Sequence, residues 1–179
     1  MPLTPEQVAT ATHKPLANVQ ATWPRVVSAL SALGIGQTLV QVAAAATIGV
    51  ETPAFLPVRE LRANKVHQPD LWALQERYWP SGFYGRGLVQ TTWEKNYAAL
   101  VGPLGVDVVA EPNLLLEGPH AAGALALYFK DHNVHIAAMR QDWKATRKLV
   151  NGGFSGWDLY SPMVTALLAA AGVERKAGS

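Results

Sequence analysis

The chain of 179 residues is 49% hydrophobic and 16% charged, a composition that supports one folded domain with a buried core and excludes intrinsic disorder. It contains no cysteine, which excludes disulfides, thiolate metal sites and a cysteine nucleophile. The formal net charge is only +2. Lysine and arginine are scattered along the chain, which excludes the dense basic patch typical of nucleic-acid-binding proteins.

The first part of the chain predicts three helices. A short helix begins at the capping signature Thr4-Pro5-Glu6-Gln7 and extends to about Thr12. A second is predicted over residues 16–33, with Trp23-Pro24 interrupting it. A third, over residues 37–50, is apolar almost all round and ends at Glu51. A helix without a polar face is typical of the centre of a domain.

Residues 52–87 are interrupted by proline and glycine, which predicts loops, turns and one short hairpin. Helical patterns return over residues 93–101, 119–132, 136–150 and 159–171. The predicted fold is therefore mainly α, with an irregular segment lying across a buried central helix.

Glu51 and Glu60 are the candidate catalytic pair. Glu51 stands where the apolar helix runs into a proline-rich loop, and both apolar neighbours and the negative end of the helix dipole favour a protonated carboxyl. A glycosidase uses such an acid to protonate the leaving glycosidic oxygen. Glu60 follows nine residues later, with two prolines between, so the loop must turn back to place two carboxylates across a cleft. The alternatives are a solvated helix end for Glu51 and a surface ion pair with Arg59 or Arg62 for Glu60.

The segment Phe83-Tyr84-Gly85-Arg86-Gly87 predicts a tight, exposed turn, because glycines on both sides of the arginine free the backbone. It is accompanied by side chains that sugar rings use for stacking and hydrogen bonding: Tyr84, Gln90, Trp93 and Tyr97. As alternatives, Arg86 would be a structural ion-pair partner and Trp93 a core residue. Near the end of the chain, Asn151 and Gly152 indicate an ordinary helix C-cap.

Together these motifs resemble those of glycoside hydrolase family 19, which includes plant and bacterial chitinases and phage endolysins. Residues 83–87, followed by Gln90, Thr92 and Asn96-Tyr97, resemble the family signature. Glu51 at the end of a buried helix resembles the family's His-Glu-Thr-Gly-Gly motif, and the nine-residue interval to Glu60 resembles that of the compact bacterial members. Residues 105–107, 111–114 and 149–153 resemble three further family stretches in the same order. The match covers residues 37–170.

The resemblance implies a mainly α, lysozyme-like single domain with a buried central helix and a loop and short-hairpin segment forming a substrate cleft. Residues 1–36 would form N-terminal helices, residues 37–171 the catalytic core, and residues 172–179 a frayed tail. No metal and no organic cofactor are implied.

Carried over residue by residue, the resemblance implies that Glu51 is the general acid and Glu60 the general base that activates water. The reaction would be a single displacement with inversion at the anomeric carbon. Thr92 would help hold the water, and Arg86 would support the carboxylate network. Residues lining the sugar subsites would be Tyr84, Arg86, Gln90, Asn96 and Asn151. Glu76 is the second-choice base, since it also precedes the glycine-rich turn.

The sequence departs from the family around the acid, because Val50 stands where the family has histidine and Pro53-Ala54 replaces Gly-Gly. These departures, with the missing cysteines, favour the endolysin-like branch over plant-type chitinases. We therefore expect an endo-acting hydrolase of β-1,4 bonds in peptidoglycan. The alternatives are a chitinase of the same chemistry, a lytic transglycosylase, and a non-catalytic glycan-binding or assembly module.

The N-terminal residues 1–6 lack the basic and apolar regions of a signal peptide. The longest apolar run, residues 42–50, is too short to span a bilayer. We expect synthesis in the cytoplasm without a signal peptide, followed by action on the cell wall after release by a holin or after delivery. The expected partner is peptidoglycan or a chitin-like glycan, with no nucleic acid, no integral membrane segment and a monomeric state.

Overall fold

The computed structural model describes residues 2–176, and these residues form a mainly α fold, as predicted. The described residues contain nine α-helices: α1 (Pro5–Thr12), α2 (Leu16–Ala32), α3 (Thr38–Glu51), α4 (Pro69–Gln75), α5 (Glu94–Leu104), α6 (Gly118–Asp131), α7 (Val134–Met139), α8 (Trp143–Asn151) and α9 (Trp157–Ala170). They also contain two short strands and two 3₁₀ helices: β1 (Val58–Arg59), β2 (Arg86–Gly87), Trp79–Ser81 and Pro112–Leu116.

Helix α3 lies at the centre of the molecule. Its residues 40–49 are all buried, because α1, α2, α7, α8 and α9 pack around it. A helix enclosed in this way needs no polar face, which explains its nearly uniform apolar sequence. The helix therefore holds its last residue, Glu51, at a fixed position where the core meets the surface.

Helix α2 corrects one prediction. The expected interruption at Trp23-Pro24 is wrong, because the helix continues through Pro24. A proline inside a helix removes one backbone hydrogen bond. Burial of the apolar face of α2 against α1 and α6 outweighs that loss.

The irregular segment contains more structure than its sequence indicates. Strands β1 and β2 pair antiparallel, with Val58 opposite Gly87 and Arg59 opposite Arg86. They do not form a tight hairpin, since residues 60–85 lie between them. Those residues form α4 and the 3₁₀ helix Trp79–Ser81, neither of which was predicted. Helix α4 has only seven residues, too few for its periodicity to stand out.

The single helix predicted over residues 136–150 is wrong, because two helices occupy that region. Gln141 adopts a left-handed conformation with φ of 55°, which ends the first helix. Asp142 then caps α8 by accepting a hydrogen bond from the Ala145 amide at 2.9 Å.

Two clusters of buried apolar residues hold the fold together. The larger surrounds α3 and contains most of the buried residues of α1, α2, α6 and α9. The smaller consists of Tyr97, Val108, Leu115 and Ala124. It lies under α5 and supports the segment that carries several predicted sugar-binding residues.

The C-terminal residues are more ordered than a frayed tail predicts. Gln141 accepts a hydrogen bond from the Lys176 amide at 2.8 Å and donates one to the Glu174 carbonyl at 3.1 Å. The last part of the predicted tail, residues 177–179, lies outside the described residues. Within residues 2–176, no helix has both the length and the hydropathy needed to cross a membrane.

Candidate active site

Glu51 forms a buried ion pair that the sequence did not predict. Its Oε1 accepts a hydrogen bond from Arg147 Nη1 at 2.5 Å. The Arg147 side chain is 2% exposed, against 20% for Glu51. Arg147 is held in turn by the Ser155 carbonyl, to which Nε and Nη2 donate at 2.9 and 2.5 Å. The carboxyl therefore has a fixed orientation at the end of α3.

The environment of Glu51 differs from the apolar surroundings that were expected. Residues 40–49 of α3 are buried as predicted, but the guanidinium of Arg147 adds a positive charge in direct contact. Helix α8 supplies this charge from 96 residues farther along the chain, a long-range contact that local sequence could not reveal.

Glu60 is surrounded by hydrogen-bond donors. Its Oε1 accepts from the Tyr78 hydroxyl at 2.6 Å and from Gln75 Nε2 at 2.9 Å, and its Oε2 accepts from the Gly85 amide at 2.8 Å. Three donors hold the Glu60 carboxyl group in one orientation. Burial, with the hydrogen bond to Glu60, raises the pKa of Tyr78, so this phenol remains a donor at neutral pH. Neither Arg59 nor Arg62 forms the expected ion pair with Glu60 in the described chain.

The β1–β2 pairing positions Glu60 against the glycine-rich turn. Glu60 follows β1 directly, and its amide donates to the Gly85 carbonyl at 2.8 Å. A Cβ on Gly85 would lie 2.8 Å from Gln90 Oε1 and 3.1 Å from Glu60 Oε2. A larger residue at position 85 would therefore displace the Gln90 or the Glu60 side chain, and Gln90 and Glu60 lie on the same side of the turn.

Arg86 holds this turn in place from the buried side. It is 4% exposed, and its guanidinium donates to Asn113 Oδ1 at 3.0 Å, to the Gly82 carbonyl at 2.9 Å and to the Tyr97 hydroxyl at 3.0 Å. All three acceptors are uncharged. Arg86 thus contacts Glu60 only indirectly, by holding the turn whose Gly85 amide binds the carboxylate.

Tyr84 has little aromatic surface left for a sugar ring. Its ring stacks on Trp79 with centroids 4.3 Å apart and planes 16° from parallel, and the Arg86 guanidinium carbon lies 4.0 Å from the ring centroid. Two planar groups this close must occupy opposite faces. The hydroxyl and edge of Tyr84 remain the parts through which it could contact a ligand.

A cavity of about 280 Å³ contains three of the predicted site residues in its wall, namely Gln90, Thr92 and Asn96. Thr92 Oγ1 donates to the Gln90 carbonyl at 3.0 Å, and Asn96 Nδ2 donates to the Thr92 carbonyl at 2.7 Å. Gln90 has φ of 54°, a strained conformation for a residue with a side chain, of the kind that clusters at functional sites.

The residues that line the cavity also include Tyr128 and Val150. Burial raises the pKa of Tyr128, and the charge of Glu51 raises it further. Neither Glu51 nor Glu60 is among the described lining residues. Glu51 pairs with Arg147, three residues before Val150 on α8, and Glu60 lies beside Gln90 at the Gly85 turn.

The remaining predicted residues, Asn151 and Glu76, lie outside the lining of the cavity. Asn151 is exposed at the end of α8, next to Val150, and Gly152 follows with φ of 76° as the expected C-cap. Glu76, the second-choice base, is 43% exposed and forms an ion pair with Arg62. It therefore lacks the enclosed setting that Glu60 has.

Four residues of the site were missed by sequence reasoning: Gln75, Tyr78, Tyr128 and Arg147. Arg147 left a usable signal, because it shares one face of α8 with the buried Trp143 and Thr146. An arginine on the buried face of a helix requires an internal partner. Gln75 and Tyr78 left no comparable signal, since they belong to the short elements of the irregular segment.

The arrangement provides a carboxyl fixed by a guanidinium, a second carboxylate held by neutral donors, and a cavity between polar walls. Two carboxyl groups in different environments can serve as the general acid and the general base of one reaction. Residues 2–176 contain no group of three or more side chains suited to hold a metal ion.

Sequence comparison finds chitinases. The chain is 35% identical to an endochitinase of Arabidopsis thaliana over 71 residues, covering 40% of this chain and 25% of that protein. It is 31% identical to chitinase 6 of Oryza sativa subsp. japonica over 107 residues, and 35% identical to endochitinase A of Zea mays over 106 residues. These two alignments cover 57% of this chain and 38% and 36% of the relatives. The chain thus spans well under half of each relative's length. No family model matches the chain.

Structural comparison extends the likeness over almost the whole chain. Chitinase C of Streptomyces griseus superposes with a TM-score of 0.69 at 23% identity, over 97% of this chain and 78% of that one. A bacterial family 19 chitinase superposes with a TM-score of 0.66 at 23% identity, over 98% of both chains. The resemblance to glycoside hydrolase family 19 is therefore confirmed, and the chain has the fold of a family 19 chitinase.

Proposed function

We propose that the protein is an endo-acting glycoside hydrolase that cleaves β-1,4 bonds between N-acetylglucosamine units of chitin-like glycans with inversion. The single observation that carries this proposal is that both carboxylates have partners next to the cavity: Glu60 lies beside the lining residue Gln90, and Glu51 pairs with Arg147, three residues before the lining residue Val150. The resemblance in sequence and fold to chitinases supports the substrate class.

Peptidoglycan, which the sequence departures favoured, is now the second candidate. The named relatives and structural neighbours are chitinases, and none of them carries a name that refers to the bacterial cell wall. Val50 and Pro53-Ala54 remain the observations that favour peptidoglycan, because they distinguish this chain from the family motif.

In the proposed reaction, the Glu60 carboxylate accepts a proton from a water molecule, whose oxygen attacks the anomeric carbon from the face opposite the leaving group. The glycosidic C–O bond breaks, and the Glu51 carboxyl gives its proton to the departing oxygen. Thr92 lines the cavity near Gln90, where its hydroxyl could hold the attacking water. The donors around Glu60 hold its carboxyl group in the orientation needed to accept this proton.

The contact with Arg147 decides which oxygen of Glu51 is free to deliver a proton. The guanidinium contacts Oε1, and no described residue forms a hydrogen bond with Oε2. We infer that Oε2 carries the proton toward the glycosidic oxygen while Oε1 remains bound to Arg147. The guanidinium would then stabilise the carboxylate that forms as the proton leaves.

Turnover of a chitin hexasaccharide and of labelled peptidoglycan, measured in parallel, tests the proposal. We expect hydrolysis of the hexasaccharide by the natural chain and about 10³-fold slower hydrolysis by Glu51→Gln, which should still bind the substrate. Preferential release of peptidoglycan fragments would reassign the substrate. 1,6-Anhydro ends would indicate a lytic transglycosylase, and binding without turnover of either polymer would indicate a glycan-binding module.

A further inference from the structure

The cavity has an ionisable lining that the proposed function does not use. Its ionisable side chains come from α6 and the residue after it, namely Tyr128, Asp131 and His132. No lysine or arginine is among the described residues that line it. Asp131 is therefore the one carboxylate among the described lining residues, and no lysine or arginine among them compensates its charge.

Asp131 is the exposed carboxylate of this lining. It is the last residue of α6, where the negative end of the helix dipole disfavours an acidic side chain. Within the described residues, it forms no ion pair within 4.0 Å of a lysine, arginine or histidine nitrogen. The adjacent cation, Lys130, donates to the Leu33 carbonyl at 3.2 Å and does not line the cavity.

The groups around Asp131 hold the rim of the cavity in place. The His132 ring stacks on Tyr128 with centroids 4.0 Å apart and planes 13° from parallel. The Tyr128 hydroxyl donates to the Leu149 carbonyl at 2.9 Å, which links α6 to α8. Apolar side chains such as Leu100 and Leu127 complete this part of the wall. Asp131 thus sits on a rigid support, close to a surface suited to a sugar ring.

We propose that Asp131 determines the charge selectivity of the glycan site. This proposal rests on the proposed function. The Asp131 carboxylate would favour binding of hexosamine units with a free ammonium group over acetylated units. It would disfavour units with a carboxylate, such as the lactyl-bearing sugars of peptidoglycan. Attraction to the ammonium and repulsion of the carboxylate both follow from the uncompensated charge at the cavity.

Binding to catalytically inactive protein tests this inference apart from the reaction. The Glu51→Gln variant would be titrated with a fully acetylated chitin hexasaccharide, a partly deacetylated one and a soluble peptidoglycan strand, each at low and high salt. In this background, Asp131→Asn should weaken binding of the deacetylated sugar about fivefold, the size expected for one exposed ion pair. It should leave the acetylated sugar unchanged and strengthen binding of the peptidoglycan strand.

The salt dependence separates selectivity from a structural effect. High salt should reduce the difference between the proteins with and without the Asp131→Asn substitution, because exposed charges are screened. Asp70→Asn, an exposed change in the first turn of α4 that lies outside the cavity, should leave all three affinities unchanged. An Asp131→Asn variant that alters the three affinities equally, or alters none, would overturn the inference. Failure of the natural chain to hydrolyse any of these glycans would count against the proposed function without affecting this comparison.

Discussion

Arg147 is the residue on which the orientation of Glu51 depends. It is buried, it contacts Glu51 Oε1 at 2.5 Å, and its other nitrogens bind one carbonyl, that of Ser155. Removing one partner of a buried ion pair leaves the other charge without compensation. The pair therefore couples the stability of the α3–α8 contact to the geometry of the proposed acid.

Arg147→Met should lower the free energy of unfolding by about 3 kcal/mol, because Glu51 loses its partner and the Ser155 carbonyl loses two donors. Urea denaturation measures this loss. Arg140→Met provides a matched control, since Arg140 is exposed after α7 and should change stability by less than about 0.5 kcal/mol. Equal stability of the two variants would show that the buried pair has no structural role.

The two carboxylates should differ in their catalytic effects. Glu51→Gln removes the proton donor and should reduce turnover of a chitin hexasaccharide about 10³-fold, whereas Glu60→Gln should reduce it about 10²-fold, because water attacks slowly without a base. Both variants should bind the sugar nearly as well as the natural chain. Steady-state kinetics and calorimetric binding provide the comparison, and full activity of both variants would show that the roles are assigned wrongly.

At the scale of single residues, sequence identified the chain positions with local signatures. Glu51 and Glu60 became candidates because a buried helix and a nine-residue interval mark them, and Gln90 because it follows the glycine-rich turn. Arg147 and Tyr128 were missed because their roles arise from contacts between distant helices. The stacking role expected of Tyr84 failed for the same reason, since Trp79 and Arg86 already cover its faces.

The β1–β2 pair is the element that positions the proposed base. Gly85→Ala would place a Cβ 2.8 Å from Gln90 Oε1 and 3.1 Å from Glu60 Oε2. One of these groups would have to move, and a small displacement of a catalytic group costs about 10²-fold in rate. We expect that loss in the turnover of a chitin hexasaccharide, with the overall helical content unchanged by circular dichroism.

Gly102→Ala is the corresponding control. Gly102 lies within α5, and a Cβ there would meet no atom within 4 Å. Alanine should leave turnover unchanged, because Gly102 is not among the described residues that line the cavity. If the Gly85 variant turned over substrate as fast as the Gly102 variant, close packing at the turn would not position Glu60.

Elements were predictable where they were long and periodic. The extents of α1, α3, α6 and α9 follow from capping residues and apolar spacing. The sequence did not reveal that α2 continues through Pro24, because tertiary packing decides this. Nor did it reveal the break between α7 and α8, which depends on the single left-handed residue Gln141. Helix α4 was too short to produce a pattern.

Over the whole molecule, buried tyrosines make stability sensitive to high pH. Burial raises the pKa of Tyr78, Tyr97, Tyr128 and Tyr160. In the unfolded chain they ionise near pH ~10, whereas in the folded protein they keep their protons at that pH. Above it the unfolded state binds fewer protons, so stability is fully present below pH ~10 and is lost as pH rises further.

We expect the free energy of unfolding to be nearly flat from pH ~7 to ~9 and to fall above pH ~10 by about 1.4 kcal/mol per pH unit for each such tyrosine. Tyr160→Phe removes one of these tyrosines and should therefore reduce the slope of the free energy of unfolding against pH by about 1.4 kcal/mol per pH unit. It should change stability at neutral pH by less than about 1 kcal/mol, because the Tyr160 hydroxyl faces Thr47 without a well-formed hydrogen bond in the described chain. An unchanged slope in urea titrations of this variant would contradict the assignment.

The central claim is that Glu51 and Glu60 act on opposite sides of one bound glycan. Proton NMR of a chitin hexasaccharide during its first minutes of hydrolysis tests it most directly, because it records the anomeric configuration of new reducing ends before they equilibrate. We predict that α-anomers appear first from the β-linked substrate, as attack by a water held at Glu60 requires. Initial β-anomers would mean that a covalent intermediate or the substrate's own acetamido group takes the place of that water, and would contradict the account.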